Sequence, residues 1–138
     1  MQRQTKGGLL DTNVLVRFLL DDDPHQSPRA VALMKRLELK KESAWLEESV
    51  LAETVWVLEK GYAVPRSEIA RLLTTILELP GIRCRSRRAM LEALTRFSTT
   101  TCDIIDCLLA ACARSRGLTV YSFDQDFKRL GCEWAEPR

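Results

Sequence analysis

Apolar and polar positions along the chain alternate between short apolar runs and longer stretches of helical period. Leu9-Leu10 is a brief run that stops at Asp11-Thr12-Asn13, after which Val14 to Leu20 read as the start of a helix. Pro24 to Glu42 form a second helical stretch, with Ala30, Val31, Met34 and Leu37 at spacings of three and four. Ala44-Trp45-Leu46 is predicted as a short strand, and Ser49 as the N-cap of a helix that continues to Lys60 and closes at Gly61. Ser67-Glu68 opens a further helix whose Ile69, Leu72, Leu73, Ile76 and Leu77 follow the amphipathic template until Pro80-Gly81. Ile82 to Arg85 reads as a strand, and Ser86 to Phe97 as a helix with Met90, Leu94 and Phe97 on one face. The Thr99-Thr100-Thr101 run is expected to cap an apolar helix from Asp103 to Arg116, closed by Gly117. Leu118 to Phe123 then reads as a buried strand, Asp124 to Leu130 as a short helix, and Glu133-Trp134 as an edge strand.

Short strands alternating with helices predict an α/β architecture, a mostly parallel sheet covered by helices on both faces. In such sheets the ligand site lies beyond the carboxyl ends of the strands. That rule singles out Asp11, after the first strand, and Asp124, after the Leu118–Phe123 strand. At 138 residues the chain is expected to form a single domain, with residues 1–8 as a polar N-terminal extension lacking the apolar stretch of a signal peptide.

Composition narrows the chemistry. With 21 basic against 19 acidic residues the net charge is only +2, which excludes polybasic binding as the whole activity. One histidine, His25, excludes HExxH proteases and Cys2His2 fingers and restricts any Ser-His-Asp triad to that residue. Five cysteines, at 84, 102, 107, 112 and 132, form an odd set without a CxxC pair, which fits a reducing cytoplasm, and Cys102, Cys107 and Cys112, in or beside one apolar-periodic stretch, read as small buried thiols. No stretch approaches the roughly 20 apolar residues of a membrane span. Carboxylates are what remain in abundance.

Four of them stand out. Asp11 and Asp124 are each adequately explained as helix N-caps, and Asp126 as a favourable charge in a first helical turn. Glu53 has Val50, Trp56 and Val57 at helical spacing, where an ionised carboxylate is costly unless it is paired, metal-bound or at the margin of the stripe. Asp106 lies inside Asp103-Ile-Ile-Asp-Cys-Leu-Leu-Ala-Ala111, three residues after Asp103, so two like charges project from one side of one helix. A cap accounts for Asp103 but not for Asp106. An all-oxygen, histidine-free set suits a hard cation such as Mg²⁺ or Mn²⁺, which binds phosphate oxygens and activates water.

Taken in order, Leu-Asp11-Thr-Asn-Val-Leu-Val, Leu-Ala-Glu53-Thr-Val-Trp-Val-Leu, Asp103-Ile-Ile-Asp106-Cys-Leu-Leu-Ala-Ala and Val-Tyr-Ser-Phe-Asp124-Gln-Asp126-Phe resemble the PIN-domain ribonucleases, and among them the VapC-type toxins of bacterial toxin–antitoxin pairs. The resemblance runs from about Leu9 to the end of the chain. It implies a three-layer α/β/α fold around a five-stranded, mostly parallel sheet, and hydrolysis of RNA phosphodiesters by Mg²⁺- or Mn²⁺-activated water. It assigns the principal acidic positions to Asp11, Glu53, Asp106 and Asp124, the auxiliary acidic ones to Asp103 and Asp126, and supporting polar ones to Asn13 and Ser122. It also implies a cognate antitoxin and a homodimer, formed in part by apolar surface on the first two helices and the Ile69–Leu79 helix. The extension before Leu9, and Cys107 where alanine is more usual, depart from the pattern without touching the acids.

Arg83, Arg85, Arg87 and Arg88 form the densest basic patch and Arg114 with Arg116 a second, candidates for RNA phosphate as well as ordinary solvated surface. No stacking platform of the RNP type is present, and Trp45, Trp56 and Trp134 read as core or margin residues. Two other classes stay open. A non-catalytic module could hold RNA through the arginines. A Mg²⁺-dependent phosphatase of the haloacid-dehalogenase type would want an Asp where Asn13 stands, and no GxxxxGK[ST] supports an NTPase.

Overall fold

The computed structural model describes residues 7–138. The chain runs β1 (Gly8–Leu9), α1 (Thr12–Leu20), α2 (Gln26–Glu38), β2 (Ala44–Trp45), α3 (Glu48–Trp56), α4 (Arg66–Leu77), β3 (Ile82–Arg83), α5 (Arg87–Thr99), α6 (Ile104–Arg116), β4 (Thr119–Tyr121) and β5 (Glu133–Ala135). A π-helical turn over Val57–Gly61 finishes α3, and a 3₁₀ turn over Gln125–Leu130 separates the last two strands. Of the expected extension, residues 1–6 lie outside the described residues. Gly8 already belongs to β1, so the strand begins inside the segment expected to be an extension.

Among the described residues every strand pairing is parallel, as the alternation of strands and helices predicted. β2 lies between β1 and β3, with Gly8 opposite Ala44 and Ala44 opposite Ile82, while β4 pairs with β5, Val120 opposite Trp134. Among the described residues the five strands thus form ladders of three and two. Strands of two or three residues offer few ladder hydrogen bonds, so the helices carry most of the cohesion. Leu15 of α1, Leu37 of α2, Leu51 of α3, Leu73 of α4, and Met90 and Phe97 of α5 are all at most 1% exposed. The α4 stripe of Ile69, Ala70, Leu73, Ile76 and Leu77 is buried within this core rather than left for a partner.

Several boundaries moved for identifiable reasons. Pro24 and His25 form a turn, because the Asp23 carboxylate accepts the His25 and Gln26 N–H groups at 2.9 and 2.7 Å and so starts α2 at Gln26. Ser49 is not the cap of α3. The Leu46 N–H donates to the Arg83 carbonyl at 2.9 Å, the chain turns at once, and Glu47 becomes the N-cap. The threonine run closes α5 instead of capping α6. The Thr99 and Thr100 hydroxyls donate back to the Thr95 and Arg96 carbonyls at 3.0 and 2.7 Å, and Asp103 caps α6 by accepting the Ile105 N–H at 2.7 Å. The strand expected to be buried over Leu118–Phe123 buries only Val120, since β4 belongs to the two-stranded ladder and leaves Tyr121 and Phe123 exposed.

Gly81 shows how tightly the amino side of the sheet is drawn together. Its N–H donates to the Leu37 carbonyl at 2.8 Å and its carbonyl accepts from Ala44 N–H at 2.9 Å. A Cβ there would stand 2.5 Å from the Glu42 carbonyl oxygen and 2.6 Å from that of Leu37. Pro80-Gly81 is therefore more than a helix stop: it brings the ends of α2 and α4 into backbone contact.

Candidate active site

The acids after β4 and at the start of α6 come within electrostatic reach of each other. Burial, and then the charges of Asp103, Asp124 and Asp126, raise the Asp106 carboxyl above the usual carboxylate range. Two of these groups are locally braced. Asp103 is the α6 N-cap already described, and Asp124 accepts the Asp126 N–H at 2.8 Å as the cap of the 3₁₀ turn. The Ser122 hydroxyl accepts the Asp124 N–H at 3.0 Å, which fixes the backbone that carries the acid. Asp126 also pairs with Arg129 at 2.8 Å, so one member of the group is offset and the others are not.

Neither Asp11 nor Glu53 is among the charges that raise Asp106. Asp11 occupies the N-cap position of α1 at the carboxyl end of β1, yet its side chain makes no cap hydrogen bond. The capping explanation therefore does not use up its carboxylate. Beside it, Thr12 is buried with its Oγ1 lacking a hydrogen-bond partner. Glu53 is exposed, and the argument from an apolar helix face does not apply to it. The buried face of α3 is Leu51, Ala52, Thr54 and Val55, and Trp56, one of the supposedly apolar neighbours, is 60% exposed. Trp45 and Trp134 are half-buried margin residues, as expected.

The donor set has the right chemistry for a hard divalent ion: carboxylate oxygens only, mostly uncompensated, and beyond the ends of β1 and β4. It is not a closed cage, since among the described residues no three acids, histidines or cysteines converge closely enough to enclose an ion.

Asn13 is exposed and lines a small cleft of about 290 Å³ between α1 and α2, together with Arg17, Gln26 and Arg29. Of the arginine patch, Arg83 and Arg88 are exposed, and Arg85 is held only by a 3.8 Å contact to Glu47. Arg87 is committed elsewhere: its guanidinium donates to the Ile82 carbonyl and braces β3. Arg114 pairs with Glu92 at 2.5 Å.

Glu48 escaped the sequence reasoning. Its carboxylate accepts the Ser86 hydroxyl at 2.7 Å and the Cys112 thiol at 3.5 Å, in a cleft of about 590 Å³ at the carboxyl ends of β2 and β3 that Arg85 and Arg116 also line. Its partners lie 38 and 64 residues away in the chain. Local periodicity carries no signal for such a contact. Cys102 and Cys107 are buried thiols as expected, and burial pushes Cys107 up to about 12, whereas Cys112 is only half-buried because its side of α6 faces the Glu48 cleft. No helix among the described residues is long and apolar enough to cross a membrane.

The family model for the PIN domain matches residues 8–131. A relative described as a VapC ribonuclease, from Aquifex aeolicus (strain VF5), is 31% identical over 130 residues, which cover 94% of this chain and 96% of the relative.

Proposed function

Because the chain belongs to the PIN domain family, we propose that it is a Mg²⁺- or Mn²⁺-dependent endoribonuclease and the toxin of a toxin–antitoxin pair. The observation that carries the proposal is the raised Asp106 carboxyl, which burial and three other carboxylates around it disfavour in its ionised form. Caps and the Arg129 pair account for Asp103, Asp124 and Asp126, but not for Asp106, which has no salt-bridge partner among the described residues. Asp11, Glu53, Asp106 and Asp124 would hold the ion, with Asn13, Ser122, Asp103 and Asp126 supporting them. A bound ion would supply an acidified water for attack on phosphorus and offset charge developing on the phosphate oxygens.

The chain's own part is placement. The Asp103 cap orients the first turn of α6 and so the direction of Asp106, while the Ser122 hydroxyl holds the Asp124 backbone. Arg83, Arg85 and Arg88 are free to meet RNA phosphate, with Arg87 bracing the strand that carries Arg83. For protein partners, a cognate antitoxin and a second copy of this chain, the exposed apolar side chains include Ile105 and Leu109 of α6, Trp56 of α3, Val31 of α2, and Tyr121 and Phe123 at and after β4. The cytoplasm is the proposed setting.

The test is cleavage of RNA by the purified protein in Mn²⁺, with and without excess EDTA, beside Asp11→Asn. Cleavage that EDTA stops and Asp11→Asn abolishes, with the fold retained, is the expected result. Equal cleavage in EDTA would sink the metal mechanism. RNA bound but uncut in Mn²⁺, and unaffected by Asp11→Asn, would favour the non-catalytic module.

A further inference from the structure

The segment between α5 and α6 decides where Asp103 and Asp106 stand, and one side chain from a different helix holds both of its ends. Arg66 is the first residue of α4. A cation at a helix N-terminus opposes the helix dipole, so its position calls for another explanation. Its Nε donates to the Phe97 carbonyl at 2.9 Å, its Nη2 donates to the Cys102 carbonyl, and its Nη1 pairs with Glu59 at 3.1 Å. The guanidinium carbon also lies 3.6 Å from the centroid of the Phe97 ring.

These partners are not scattered. Phe97 is in the last turn of α5, where carbonyls lack helical partners. Cys102 is the residue immediately before the Asp103 cap. One rigid fork thus spans the link, and the Thr100 hydroxyl steadies its middle by accepting the Cys102 N–H at 3.2 Å. The direction of the Cys102 peptide sets the start of α6, and with it the carboxylates at the N-cap and three residues later.

We propose that Arg66 is a positioning residue for the acidic site, acting through the Phe97 and Cys102 carbonyls rather than by touching RNA or metal. This role presupposes the nuclease site proposed above. A displacement of about 1 Å at reacting groups is enough to cost on the order of 100-fold in rate, and loss of an outer partner of a metal ligand weakens metal binding by about tenfold or more.

The test compares wild type, Arg66→Ala and Arg66→Lys, each assayed well below its own melting temperature. Steady-state cleavage of a single-stranded RNA oligonucleotide is measured beside Mn²⁺ binding followed by electron paramagnetic resonance. Arg66→Ala is expected to lower kcat by roughly tenfold to 100-fold with KM little changed, to bind Mn²⁺ about tenfold more weakly, and to recover partly in millimolar guanidinium. Arg66→Lys is expected to recover only part of the loss, because an ammonium cannot serve two carbonyls and stack on the ring at once. Wild-type kcat and Mn²⁺ affinity in Arg66→Ala, whatever its melting temperature, would overturn the proposal. If Arg66→Ala does not fold, the same wild-type values in Arg66→Lys would overturn it. A wild type that binds Mn²⁺ but cuts no RNA would refute the nuclease and leave the Mn²⁺ comparison to decide on Arg66. A wild type that does neither refutes both.

Discussion

Replacing Asp106 by Asn should stabilise the protein without metal and remove its activity. Asp106 is half-buried, three residues from Asp103, and feels the charges of Asp124 and Asp126. A like-charge pair three residues apart on a helix costs about 0.2–0.5 kcal/mol, and screened contacts between elements are of similar size, about 0.2–1 kcal/mol each. Three such repulsions with partial desolvation come to roughly 1–2 kcal/mol. Against this stands the favourable position of a negative charge in the first turn of α6, about 0.5 kcal/mol at an exposed site. The repulsions win, and the net gain on neutralisation is about 1 kcal/mol, or roughly 3–5 °C in melting temperature for a chain of this size.

The assay is thermal unfolding of wild type and Asp106→Asn in EDTA across a pH series. The fold raises the Asp106 carboxyl, so the native state favours its protonated form. Wild type is therefore penalised most above that raised value, and the gap to the variant should close as pH falls through it. Millimolar Mn²⁺ should reverse the order, because an ion that binds only the native wild type stabilises it by mass action. An Asp106→Asn protein less stable than wild type at neutral pH in EDTA would refute the reasoning. It would mean that the carboxylates are held by favourable partners, not by mutual tolerance.

Gly81→Ala should be among the most damaging conservative substitutions, costing about 3 kcal/mol or more, since its Cβ would meet backbone oxygens at 2.5 and 2.6 Å that cannot rotate away; chemical denaturation with an unchanged slope and a lowered midpoint would show it. Cys107, pushed by burial up to about 12, should stay unreactive toward a disulfide reagent at pH 8 in the native protein, and Cys102 with it because it is buried. Mass-spectrometric mapping of modified thiols should find only Cys84, Cys112 and Cys132 before unfolding, and native labelling of Cys107 would contradict the packing around α6.

Much of the fold was legible because helical period, caps and breakers are local. The α4 stripe, the Gly117 stop after α6 and the strand–helix alternation all appeared where the pattern placed them. The misplaced boundaries share one cause, competition between neighbouring signals for the same backbone groups. Ser49 lost the cap to Glu47 because Leu46 was already tied to β3, and the threonines between α5 and α6 bond backward to α5 while Asp103 bonds forward. For the site, the identities of the acids were plain but their surroundings were not. Glu53 was suspected from its apolar neighbours, yet its position 53 on the helix faces solvent, because the core packs against the other side of α3.

By itself the sequence determined the order of the elements, the parallel pairing that alternation demands, and the wealth of carboxylate and dearth of histidine that narrow the chemistry. Those properties are set by composition and by residues within a few positions of each other. Tertiary structure alone decided that Arg66 would reach carbonyls 31 and 36 residues away, that Glu48 would take up Ser86 and Cys112, and that Asp106 would lie among the charges of the turn after β4. A contact across the fold depends on which faces meet once the core closes. The near-balance of charge along the chain thus conceals a local excess of carboxylate at the start of α6, with arginines spent partly on bracing the elements around it.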